Sequence, residues 1–102
     1  MIRQDIDING YWKIIIVYDV ELGQKDGGFT YTDFKKKQSI VGIGKSTSSA
    51  QFLNTITHEA KHIQSHICKY YKVKEDSEDA AYLIGYIVQQ MFSVFKDLIR
   101  KN

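Results

Sequence analysis

The residues best equipped for chemistry in this chain are His58, Glu59 and His62, set in the run His58-Glu59-Ala60-Lys61-His62. Two imidazoles four residues apart stand one turn apart on a helix and can grip one zinc ion, with the intervening glutamate placed to act as a base toward water. Two imidazoles alone hold zinc poorly, and zinc sites that do chemistry use three protein ligands and leave a position open. A third donor is therefore required. The candidates are Glu75, Asp76, Glu78 and Asp79 further along the chain, and His66 and Cys68 nearby.

Helical arithmetic sorts these residues. With His58 at zero and about 100° per residue, His62 falls at about 40°, His66 at about 80° and Glu59 at about 100°. Leu53, Ile56, Ala60, Ile63 and Ile67 spread over roughly 140° to 220° and form the apolar stripe. The histidines thus face away from their own helix's core, which disfavours a hydrogen-bonded core histidine and leaves a metal pair or a plain solvated face. His66 follows His62 by one turn. Three ligands from one straight helix rarely surround one ion, so a supporting or surface role suits it better. Cys68 reads as a small buried residue.

On the second helix, with Glu78 at zero, Asp79 lies at about 100° and the apolar face runs from roughly 140° to 320°. Glu78 borders the packed side and Asp79 looks outward. Ala81 and Gly85, small residues beside Glu78, would let another helix come close. If the two helices pair antiparallel through a short connector, Glu78 opens the second helix and becomes the third metal ligand. It would also serve simply as a first-turn acid favourable to the helix dipole.

The elements that must position these groups follow from periodicity. Residues 11–22, after the turn signal Asn9-Gly10, alternate with Trp12, Ile14, Ile16, Tyr18 and Val20 on one side, which predicts a central strand with one fully apolar face. The glycine-bearing connection 23–28 leads to a second short strand, 29–34, of a hairpin. Lys35-Lys36-Lys37 reads as a solvated turn. Residues 39–44, with Gly42 and Gly44, predict a third strand that could lie at an edge. The period then lengthens to 3.6. N-cap candidates occupy 46–49, Ser48 and Gln51 fit a capping box, and a helix is predicted to about residue 71. Asp76 or Ser77 caps a second helix, about 77–100, whose broad apolar face includes Ala80, Ile87, Met91, Phe95, Leu98 and Ile99. The expected fold class is α+β, a small antiparallel sheet of about three strands followed by two long packed helices.

At 102 residues the chain, 1–102, is expected to be a single domain with one modest core. A net charge of +2 is too weak to point to nucleic acid or an anionic membrane. A single cysteine makes no internal disulfide. The N-terminus lacks the pattern of a signal peptide and no apolar run reaches the ~18 residues of a membrane span, so a cytoplasmic setting is expected.

His58 to His62, followed by Glu78-Asp79-Ala80-Ala81-Tyr82-Leu83-Ile84-Gly85-Tyr86, resembles the gluzincin side of the zinc-peptidase superfamily. With residues 39–45 and 51–62 included, about the last two thirds of the chain is similar to small zincin-like proteins of phages and mobile elements. The resemblance implies a minimal zincin-like metallopeptidase, with His58, His62 and Glu78 as Zn2+ ligands, Glu59 as general base and a peptide or protein as substrate. Strand 39–44 would hold an extended peptide by strand addition. The chain departs from the larger gluzincins at Tyr82, where an aspartate often orients a ligand histidine, and it has no histidine after His66 to stabilise an oxyanion. Tyr82 and Tyr86 are the candidate replacements. The alternative is a non-enzymatic protein of the same fold, serving phage assembly or binding a partner protein, with a structural or vestigial metal.

Overall fold

The change of period from 2 to 3.6 residues appears as four strands followed by two helices. The computed structural model describes residues 2–18, 27–44 and 48–100. The strands are β1 (Ile2–Ile8), β2 (Trp12–Tyr18), β3 (Gly28–Asp33) and β4 (Gln38–Ile43), and the helices are α1 (Ser49–Tyr71) and α2 (Glu78–Arg100). The fold is α+β, as expected. The continuation of the central strand through 19–22, most of the connection 23–28 and the cap candidates Ser46 and Thr47 lie outside the described residues, as do the side chains of Leu98 and Ile99.

The sheet has four strands where three were expected. The added strand, β1, forms an antiparallel hairpin with β2, with Ile8 opposite Trp12 and Ile6 opposite Ile14. Asn9 and Gly10 turn the chain with φ of 51° and 81°, and Tyr11 N donates to Ile8 O at 3.0 Å within the three-residue loop 9–11. Ile6 and Ile8 alternate with Asp5 and Asp7, so one face is apolar and the other charged. That alternation was the available signal, and the charged residues obscured it.

Strand order is β1-β2-β4-β3, with β2 and β4 parallel and the other two pairs antiparallel. β2 is interior, as its apolar run implies. Three expectations are overturned. The sheet is mixed and not antiparallel, because β4 returns beside β2 in the same direction. β3 forms its hairpin with β4 and not with β2, and β4 is an interior strand, not an edge. The reason for Gly42 is local. A Cβ there would fall inside the ring of Phe29, its partner on β3, so the glycine admits an aromatic ring from within the sheet. Among the described residues, the edge strand on this side is β3.

Both helices cover one face of the sheet. Ile6, Ile8, Trp12, Ile14, Ile16, Val41 and Ile43 point toward them, and Phe52, Ile56, Ala60, Ile63 and Ile67 of α1 meet Ile87, Met91 and Phe95 of α2 in the same core. α1 lies against β3 and β4, and α2 against α1 and β1. Each fully buried isoleucine contributes roughly 1.5–3 kcal/mol relative to exposure, so this single core dominates stability. Leu53, expected in the stripe, is 46% exposed. Gly85 is exposed with open space around it, so α1 packs on the Ala80, Ile87, Met91 and Phe95 face, and the expected close approach at Ala81 and Gly85 does not occur.

The helix ends are chemically defined. Ser48 Oγ accepts from Gln51 N at 3.1 Å, Lys72 closes α1 in the left-handed region, and Ser77 Oγ accepts from Ala80 N at 3.2 Å to start α2. Lys35, Lys36 and Lys37 form an exposed turn. Among the described residues no helix is long and apolar enough to cross a membrane.

Candidate metal centre

α1 is clasped on two flanks. On one, Gln64 Nε2 donates to Ala80 O of α2 at 3.1 Å, and Lys61 pairs with Glu75 at 3.4 Å. On the other, Thr30 and Thr32 of β3 reach Glu59 and His66. In helical angle, Ile67, Gln64 and Cys68 on the α2 side span about 180° to 280°, and Thr55, His66 and Glu59 on the β3 side about 60° to 100°. His58 and His62, at about 0° and 40°, occupy the open arc next to β3.

A cleft of about 680 Å³ runs between β3 and α1, walled by Gly28 and Thr30 on the strand and by Thr55, His58, Glu59 and His62 on the helix, with His66 at one end. Gly28 makes the strand's approach possible. A Cβ there would stand 2.7 Å from Gly42 O, 3.2 Å from Thr55 Cγ2 and 3.4 Å from Glu59 Cγ.

His58 and His62 are both exposed, and their Nε2 atoms face each other at 3.2 Å, one donating to the other. Two nitrogens bound to zinc at 2.0–2.1 Å in a tetrahedral arrangement are separated by about 3.3 Å, a spacing close to that of this pair. Glu59 between them points to the β3 flank, is only 4% exposed, and accepts a hydrogen bond from Thr30 Oγ at Oε1, 2.6 Å away. Its other carboxylate oxygen has no partner among the described residues.

Glu78 opens α2, as the connector length implied, but it is exposed and does not line the cleft. Its helix packs on the flank of α1 that lies away from Glu59, so the structure brings His58, Glu59 and His62 together and leaves Glu78 apart from them. Among the described residues no three His, Cys, Asp or Glu side chains are grouped to hold one metal ion. Asp79 borders an apolar groove with Tyr11, Cys68 and Leu83 instead. Cys68 is buried there, and burial pushes its thiol above the ordinary value, as fits a small core residue. Comparison with protein-family models, with curated proteins and with solved structures finds no match to this chain.

Tyr82 is 73% exposed, Tyr86 is half-buried, and neither lines the cleft. The polar residues that sequence reasoning overlooked are on β3. Thr30 and Thr32 sit on the helix-facing side of the strand, and only the pairing of β3 along α1 reveals their partners. His66, assigned a supporting role, is half-buried at the cleft's end with Thr32 Oγ at 2.7 Å from Nδ1 and the edge of Phe34 against its ring.

Proposed function

We propose that the chain is a zinc-dependent peptidase that hydrolyses an extended peptide lying in the cleft between β3 and α1. The observation that carries this reading is the pair of facing Nε2 atoms of His58 and His62, 3.2 Å apart, with the buried Glu59 carboxylate beside them. Zinc held by the two imidazoles would acidify water and polarise a peptide carbonyl. Glu59 takes the proton of the attacking water and passes it to the leaving amine, the work of a general base and then a general acid. Thr30 holds one carboxylate oxygen and so fixes which oxygen receives that proton. The open edge of β3 supplies backbone groups to which an extended substrate can add as a further strand. Of the three donors expected, the cleft supplies two, His58 and His62, and Glu78 lies outside it.

The test is twofold. Zinc measured by elemental analysis in protein purified without chelator should be stoichiometric, and digestion of a peptide library should cease in Glu59→Gln while zinc is retained. A Glu59→Gln protein that keeps both zinc and full proteolysis rejects the mechanism.

A second reading, a non-enzymatic zincin-like protein that binds a partner in the same cleft, is favoured by one observation, the lack of a three-donor group among the described residues. It predicts peptide binding without cleavage.

A further inference from the structure

Four side chains form an unbroken hydrogen-bonded chain from the core to the end of the cleft. Trp12 Nε1 donates to Ser39 Oγ at 3.1 Å, Ser39 Oγ lies 2.7 Å from Thr32 Oγ, and Thr32 Oγ lies 2.7 Å from His66 Nδ1. The chain crosses β2, β4 and β3 to reach α1. It ties the most buried aromatic residue of the sheet to a ring in the cleft.

The direction of this chain follows from counting protons. An indole N–H only donates, so Ser39 accepts from Trp12. Ser39 is fully buried, and its hydroxyl proton needs an acceptor. Thr32 is the acceptor available among the described residues. Thr32 then directs its own proton to His66 Nδ1. The reverse order would send two donors to Ser39 and leave its proton without a described acceptor. Nδ1 therefore accepts, and a neutral imidazole that accepts at Nδ1 carries its proton on Nε2. Burial pushes the ring's pKa below the ordinary value, which favours this neutral form. Nε2 is the end of the ring away from Thr32, it has no partner among the described residues, and the ring lines the cleft.

We propose that His66 is a substrate-binding donor whose Nε2–H hydrogen-bonds a backbone carbonyl of a peptide in the cleft, with its tautomer fixed by Trp12, Ser39 and Thr32. His66 stands six residues beyond the midpoint of His58 and His62, about 9 Å along the helix axis. An extended peptide advances about 3.3 Å per residue, so a peptide running along the helix presents the recognised carbonyl about three residues from the one over His58 and His62. His66 thus sets peptide position and not the chemistry at the cleaved bond. The identity of the ligand as a peptide rests on the cleft reading above, whereas the tautomer does not.

Long-range proton–nitrogen NMR of the full chain reads the tautomer directly. His66 should show a protonated Nε2 and a bare Nδ1, and Thr32→Val should convert it to a mixture. A protonated Nδ1 in the wild-type protein overturns the proposal. Binding is measured with unfolded casein as the probe on the zinc-loaded Glu59→Gln protein, where cleavage does not interfere. Adding His66→Phe should weaken binding about tenfold, the loss of one neutral hydrogen bond, and His66→Gln, which keeps an N–H donor, should recover part of it. Equal affinity with and without His66, or no binding of casein by the parent protein, also overturns it. Casein that is bound in this His66-dependent way but left intact by the wild-type protein would sustain the proposal and reject the peptidase reading.

Discussion

Thr30 on the edge strand donates its hydroxyl to Glu59 Oε1 at 2.6 Å, joining β3 to a carboxylate that is only 4% exposed on α1. Removing that donor leaves a buried acceptor unpaired. Thr30→Val should therefore destabilise the protein by about 1–3 kcal/mol, and Thr30→Ser should keep most of the stability, measured by urea denaturation. Equal midpoints for wild type and Thr30→Val would show that the contact is not maintained in solution.

The geometry of the imidazole pair makes a claim about metal affinity. His58→Ala or His62→Ala should each reduce zinc binding at least about tenfold, because each removes half of a two-imidazole chelate. Glu78→Ala should leave zinc binding within about twofold, since its side chain lies outside the cleft. Titration calorimetry with zinc separates the cases. A large loss in Glu78→Ala would mean that α2 brings this carboxylate to the histidines when metal binds.

Two glycines are predicted to respond with opposite signs. Gly28→Ala would bring a methyl group to 2.7 Å from Gly42 O, a backbone atom of β4 that cannot swing aside, so β3 must shift from β4 at a cost of about 1–3 kcal/mol. Gly85→Ala lies in a helix interior with nothing within 4 Å and should stabilise by about 0.5–1 kcal/mol. Thermal melts of the two variants against wild type suffice to check both.

His66 links stability to pH. Burial first, then the charges of His62 and Lys69, hold its pKa below the ordinary 6.5, while Glu75 acts in the opposite direction. As pH falls, the unfolded chain takes up this proton before the folded one does. Stability from neutral His66 is therefore complete above about 6.5 and is lost as pH falls through the lower folded value. Urea midpoints at pH 7.5 and pH 5 should differ less in His66→Phe than in wild type. An unchanged difference would remove His66 from the acid response.

The sequence by itself determined the local features: the two helices, the cap at Ser48 and the choice of Asp76 or Ser77 for the second, the turn at Asn9 and Gly10, the apolar face of β2, and the outward placement of His58 and His62. Each depends on residues within a turn or two of one another, where a fixed rise and rotation converts spacing into direction. Only the tertiary structure decided which strands pair, that β4 is interior and β3 the edge, that Thr30 meets Glu59 and Thr32 meets His66, and on which flank of α1 the second helix settles. Those outcomes depend on residues about thirty positions apart, as with the 29 between Thr30 and Glu59. They are set by how the apolar faces of all six elements share one core, which no local period records. The same division runs through the candidate site. The spacing of His58 and His62 specified a pair of imidazoles, but the packing of α2 against the far flank of α1 decided that Glu78 stands outside the cleft they line.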